Sequence, residues 1–197
     1  PGAGAVLGLP GLPQGRRGHP LPQHGVRSQN GGGVRGSDRR GHRGARLCRP
    51  LRARPLKGGH SGDDIEKKRA NAIKILARFL YMEQDKVDLR LAQWNSGKMH
   101  NAIPRDGKII FAVPADKKEE IKADWNIFTA AVEDEFHVTD VTMAWSLEST
   151  DAQKVLPKHV SENVIRAIQA VDNGVFAMCQ DEELAWMVET SSNIASV

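Results

Sequence analysis

Between Pro1 and Leu56 there is no phenylalanine, tryptophan, tyrosine, isoleucine, methionine, lysine, threonine or glutamate. A stretch this poor in large apolar side chains cannot offset the entropy of ordering its backbone by burial, which excludes an independent core there. Cysteine is scarce as well. Cys48 and Cys179 make no disulfide framework and no short-spaced thiolate set, so a reducing, cytoplasmic setting is expected. No apolar run approaches the roughly 20 residues of a membrane-spanning helix, and no membrane partner is expected. Ala5-Val-Leu-Gly-Leu9 is too short and too interrupted by glycine to be a secretory signal core.

What the first 56 residues do contain is eleven arginines against one acid, Asp38, with 13 of the 19 glycines and 7 of the 10 prolines. Their charge is +10 in a chain of net +4, so the remainder carries −6 and the overall balance averages two unlike parts. Residues 1–56 are therefore expected to be disordered. Two readings stay open: an Arg/Gly arm for RNA or acidic surfaces, or an out-of-frame segment of a GC-rich gene. Such arms interleave aromatics or repeat a short unit, and "RRGHRGARLCRPLRARPL" does neither, so nucleic acid is not an expected partner. Reading the codons one base out permits an ordinary buried strand ending in acids across Gly18–Val26.

From Lys57 onward the chain reads as a globular domain of about 140 residues, enough for one core. Ser61-Gly-Asp-Asp64 has the form of a capping box and predicts a helix start. Ile65, Ala72, Ile73, Leu76, Ala77 and Leu80 continue it at helical spacing to about Met82. Residues 87–93 alternate apolar and polar, and 108–113 form a β-rich run ended by Pro114, so both are predicted strands. Asn95-Ser-Gly97 and Pro104-Arg-Asp-Gly107 supply turns between them. A second helix is predicted from Asp116 to about His137 and a strand over 138–147. With a further strand expected just ahead of Lys57, the order is the split βαββαβ pattern, an α+β fold whose antiparallel sheet carries both helices on one face. The expected divisions are 1–56, 57–150 and 151–197. The last holds a helix over Ser161–Val171, with a possible cap at Ser161 and an end at Asp172-Asn-Gly174, then a loop entering a strand over 187–197.

Four motifs, "LKGGHSGDDI" from Leu56, "RANAIK" from Arg69, "NAIPRDG" from Asn101 and "VETSSNIASV" from Val188, in this order and at these separations resemble the aminoacyl-histidine dipeptidases. These are cytosolic peptidases built on two metal ions. The resemblance covers about Leu56–Val197 and implies a fragment: the lid or dimerisation domain, followed by the start of the resumed catalytic domain. It implies hydrolysis of Xaa-His-type dipeptides by metal-activated water, a homodimer, and two divalent metal ions, Zn, in the full-length enzyme. The metal ligands would be His, Asp and Glu of the catalytic domain, and His60, His100, His137 and His159 form no short-spaced ligand set. This chain is thus expected to bind no metal and to be inactive alone.

The resemblance also assigns site residues. His60, in its glycine-flanked loop, is the expected catalytic residue, a donor to the oxyanion that in some members reaches across a dimer. Its plainer reading is a histidine that only hydrogen-bonds adjacent backbone. Asn101 is the expected substrate-binding residue, against an asparagine that merely satisfies a turn. His100 has no matching role, and Glu189, before "TSSN", is expected to be structural. Trp94, Trp125, Trp145 and Trp186 are too far apart in sequence for a stacking platform and are expected in the core or an interface. The alternative from another class is a non-enzymatic α+β dimerisation module with a basic arm.

Overall fold

The computed structural model describes residues 46–54 and 56–197, all within one compact unit. The expectations for residues 1–45 lie outside the described residues. Arg46–Arg54 forms strand β1, the strand expected just ahead of Lys57. It falls inside the stretch whose composition argued for disorder, and for Arg46–Arg54 that expectation is corrected. The physical reason is backbone pairing. Strand β1 is antiparallel to Gly107–Pro114 on one side, from Arg46 opposite Pro114 to Ala53 opposite Gly107, and to Ala144–Leu147 on the other. Ladder bonds on both edges order a strand in a way that a count of apolar side chains does not register.

The remaining elements are β2 (Gly59–His60), α1 (Ala72–Glu83), β3 (Arg90–Ser96), β4 (Ala102–Ile103), β5 (Gly107–Pro114), α2 (Lys118–Glu135), β6 (Ala144–Leu147), α3 (Lys158–Ala170), β7 (Gly174–Met178) and β8 (Val188–Ser192). The main sheet is antiparallel with order β3-β5-β1-β6, the split βαββαβ arrangement. Strand β5 is buried on both faces. Its Ile109, Phe111 and Val113 lie in one core with Leu76 and Phe79 of α1 and Ile121, Trp125 and Phe128 of α2, while Ile110 and Ala112 meet Ala92 and Val155 on the other side. Phe79 stands edge-on to Trp125 at 4.8 Å, and Trp145 meets Trp125 at 5.9 Å, so three of the four tryptophans pack into or against this core. Trp186 is 69% exposed.

Helix α1 does not begin at Ser61. Residues Ile65–Lys67 make a single 3-10 turn that Lys68 ends in a left-handed conformation, φ 51°. The capping box fails because its parts are engaged elsewhere: the Ser61 N–H bonds Asn101 O, and the Asp64 carboxylate accepts from His60 N–H. The helix restarts at Asn71, whose Oδ1 accepts from the backbone N–H of Ile73 and Lys74 at 2.9 and 3.3 Å. Strand β6 is also shorter than expected, since residues 138–143 are irregular.

The residues after 150 are fastened to this unit. Ile165 of α3 enters the core, and Ser161 is a strut rather than a cap: its Oγ accepts from the buried Leu91 N–H at 2.9 Å and donates to Pro157 O. Lys74 Nζ donates to the carbonyls of Ile168, Gln169 and Val171, a cation on the negative end of α3, and burial lowers its pKa. The loop and strand expected over 187–197 occur in the opposite order: Val188–Ser192 is strand β8, paired antiparallel with β7, which no sequence pattern announces, and 193–197 is irregular. Beyond β8, Val197 and Ser96 exchange backbone hydrogen bonds of 3.0 and 3.1 Å. Gly97, at φ 69°, makes that approach possible, because a Cβ there would sit 1.9 Å from Ala195 O.

Ser161→Ala leaves the Leu91 N–H buried without an acceptor. A loss of about 1–3 kcal/mol in urea unfolding is expected. No measurable loss would mean that water replaces the hydroxyl.

Candidate functional site

Strands β2 and β4 form a small ladder in which Gly59 faces Ile103 and His60 faces Ala102. Backbone bonds extend it at both ends, from Leu56 N–H to Arg105 O and from Ser61 N–H to Asn101 O, each 2.9 Å. His60 is thus paired with Ala102, the residue that follows Asn101, although 41 positions separate His60 from Asn101.

The His60 ring is held by one nitrogen. Its Nδ1 accepts from the backbone N–H of Gly62 and of Asp63, both at 3.2 Å, which in the neutral ring places the proton on Nε2. The Asp63 carboxylate also lies 3.3 Å from Nδ1, but at 87% exposure it is a solvated neighbour and the two N–H groups fix the tautomer. The side chain is 49% exposed. The plainer reading of a histidine bonded to adjacent backbone is therefore true of Nδ1, and it leaves Nε2–H as a donor directed away from those contacts.

The glycines before His60 have a steric cause. Gly58 and Gly59 have φ of +63° and +153°, and a Cβ on Gly59 would come within 2.3 Å of Arg69 Nη1 and 2.5 Å of Asp64 Oδ2. That space is taken by an ion pair. Arg69 Nη1 lies 3.0 Å from Asp64 Oδ2 and donates to Gly58 O at 2.7 Å, while Asp64 also accepts from His60 N–H and Lys67 Nζ. The Lys67 hydrogen bond, the His60 N–H and the nearby Arg69 charge lower the Asp64 pKa from 3.8 to about 2. At the loop's base, the buried Asp140 carboxylate accepts from Lys57 N–H with Oδ1 and from Ala70 N–H with Oδ2.

Asn101 uses its backbone for the turn, not its amide. Ser61 N–H bonds its carbonyl, Ala102 N–H bonds Met99 O, and the Asn101 Oδ1 is buried without a partner. Beside the ladder is a cavity of about 460 Å³, where Lys57, Lys98 and Arg105 outnumber Asp106. His100, His137 and His159 are exposed, and Glu189 is exposed on β8. Among the described residues, no three His, Cys, Asp or Glu side chains come together to hold a metal ion. No helix among them is long and apolar enough to cross a membrane. Sequence reasoning missed Arg69 and Asp140, which carry no motif of their own. Asn71 it could have found, as an asparagine directly before an apolar helical run.

The Asp64 carboxylate binds its proton later in the folded chain than in the unfolded one. Its contribution to the His60 loop is therefore complete above about pH 4 and lost as pH falls towards 2. Exchange of the His60 amide should accelerate across that window, and Asp64→Asn should remove the pH dependence. A wild-type amide that exchanges alike at pH 5 and pH 2.5, after correction for intrinsic rates, would refute this.

Comparison with known proteins agrees with this fold. Residues 54–140 match the peptidase dimerisation domain. The cytosol non-specific dipeptidase of Escherichia coli (strain K12) is 35% identical over 148 residues, which is 75% of this chain and 30% of that protein. The aminoacylhistidine dipeptidase of Vibrio alginolyticus, a crystal structure, superposes with a TM-score of 0.72 at 35% identity, covering 77% of this chain and 31% of that one. The chain thus spans less than a third of the length of either relative. Over the span they share, the chain is a homologue of these two dipeptidases, and within it residues 54–140 match the peptidase dimerisation domain.

Proposed function

We propose that this chain is the lid portion of a metal-dependent dipeptidase and contributes two residues to its reaction, His60 as an oxyanion donor and Asn101 as a substrate-binding amide. The observation that supports this reading is the β2–β4 ladder, where His60 pairs with the residue next to Asn101, His60 is held through Nδ1 alone, and the Asn101 Oδ1 is buried without a partner. Peptide hydrolysis builds negative charge on the carbonyl oxygen. A donor fixed in place before that charge appears stabilises it without reorganisation, and Nε2–H on a ring clamped through Nδ1 is such a donor. The substrate class is a dipeptide of the Xaa-His type, as the name of the Vibrio relative suggests. The cations around the neighbouring cavity suit a substrate that ends in a carboxylate.

Two divalent metal ions, taken to be Zn, belong to this reading of the complete enzyme. The described residues do not fit them, since no three potential ligands converge, so the ions would be held by parts of the enzyme this chain does not span. On this reading residues 1–197 alone are inactive. The cytoplasm is the proposed location, in keeping with the name of the Escherichia coli relative.

The proposed assembly is a homodimer formed at the outer edge of the sheet, along β6. Strand β3 has its outer side engaged by Leu156, Ser161 and Val197, whereas β6 is the other edge and ends the sheet. An edge strand is a template for a second copy. Trp145, whose indole N–H donates to Glu133, and Met143 and Leu147 border that edge in a groove against α2.

The test of the site is a chimera in which residues 57–197 replace the matching portion of the Escherichia coli dipeptidase. His60→Ala in this chimera should lower kcat by roughly 10²-fold, the scale of losing one oxyanion donor, with metal content unchanged. Near-normal kcat and kcat/KM would leave His60 a structural loop residue. For the dimer, amide exchange at residues 144–146 should slow as protein concentration rises, in step with a monomer–dimer transition by sedimentation. Exchange there that ignores concentration would reject the β6 edge.

A further inference from the structure

Asn71, Asn173 and Asn193 lie 102 and 20 positions apart, and none is used by the proposed reaction. Their amides meet at one point. Asn71 Nδ2 donates to Asn173 Oδ1 at 3.0 Å, to Ile194 O at 3.0 Å and, more weakly, to Asn193 Oδ1 at 3.3 Å. Asn173 Oδ1 also accepts from the Ile194 N–H at 3.1 Å. Asn193 Nδ2 in turn donates to Ala102 O at 2.9 Å, and Ala102 is the residue opposite His60 in the ladder.

We propose that these three asparagines are positioning residues: a joint by which the segment 193–197 fixes the β2–β4 ladder and thereby the placement of His60 and Asn101. The inference rests on the reading that those two residues face substrate. Its chemistry explains why the amide is needed at each end. Asn71 must accept with Oδ1 to cap α1 and donate with Nδ2 to the joint, and it is 4% exposed, so an unmade bond is not replaced by bulk water. Asn193 must accept from Asn71 and donate to Ala102 O. Ala72 N–H bonds Pro104 O at 2.9 Å, so the same helix start also holds the far side of the Asn101 turn. Two of the motifs that had no role of their own, "RANAIK" and "VETSSNIASV", thus supply two of the three amides.

Aspartate is the informative substitution at Asn71, because it caps a helix as well as asparagine does but cannot donate. In the intact chain, Asn71→Asp and Asn193→Asp are expected to leave the Ile73, Lys74 and Phe79 amides as protected as in the wild type. They should accelerate exchange of the Ser61 amide, which bonds Asn101 O, by about tenfold, the scale of one lost buried hydrogen bond. They should also shift the Nδ1 and Nε2 resonances of His60. Wild-type Ser61 exchange and unmoved His60 ring resonances would overturn the proposal. So would a uniform acceleration that includes Phe79 and Cys179, which would make the asparagines contributors to general stability only. Because the readout is exchange and ring resonance in this chain, it fails or succeeds independently of the chimera's kcat.

Discussion

A single carboxylate, that of Asp140, determines whether the site loop has a shape. It takes the backbone N–H of Lys57 with one oxygen and that of Ala70 with the other, so a segment that runs out to His60 and back is closed at its base. Asp140 is 4% exposed, and a buried carboxylate is tolerable only when its oxygens are bonded; here both are. Closure of the loop also positions helix α1. Ala70 is the residue before Asn71, so the clamp that ends the loop aligns the cap that starts α1, and α1 brings Leu76 and Phe79 onto the sheet.

Inside that clamp the loop is built in the reverse order from a helix N-terminus. A capping box uses a hydroxyl and a carboxylate to satisfy the first N–H groups of a helix. At Ser61 and Asp64 the carboxylate instead gathers Arg69, Lys67 and the His60 N–H around itself, and the chain bends round it. The result is a turn whose interior is an ion pair and whose exterior is an imidazole. Glycine at 59 is required by this interior, since any Cβ there would overlap the pair, whereas Gly58 answers to its positive φ and to Arg105 and Ile103 across the ladder.

Much of the fold was legible in the sequence because its signals are local. The alternation around Leu91, the β-rich run at Ile109–Val113 and the helical spacing through Ile121, Trp125, Phe128 and Val132 each announce an element without reference to the rest of the chain. What was not legible depended on partners distant in sequence. Strand β1 is expected from the order of the other elements and not from its own residues, which are poor in everything that marks a strand; its two neighbours order it. Ser61 has the credentials of a cap, but its N–H is taken by Asn101, and Ser161 looks like a cap but serves Leu91. Of the proposed site, the choice of His60 and Asn101 came from motif resemblance, whereas Arg69, Asp140 and Asn173, which bond the loop and ladder around them, have no signature that spacing could reveal.

The division of labour within the His60 ring bears on whether this loop is scaffold or site. A histidine needed only to brace a turn could be bonded through either nitrogen, and its exposed half would be indifferent. Here the braced nitrogen is Nδ1, satisfied by two backbone N–H groups on the loop's own return, and that choice fixes Nε2 as the protonated donor. The neighbouring Asn101 amide is likewise absent from the turn that carries it. Two polar groups spared from structural bonds, on a ladder clamped at its base by Asp140 and joined through Ala102 to the asparagine cluster, support the proposal that both serve a ligand. The backbone around them has already satisfied itself.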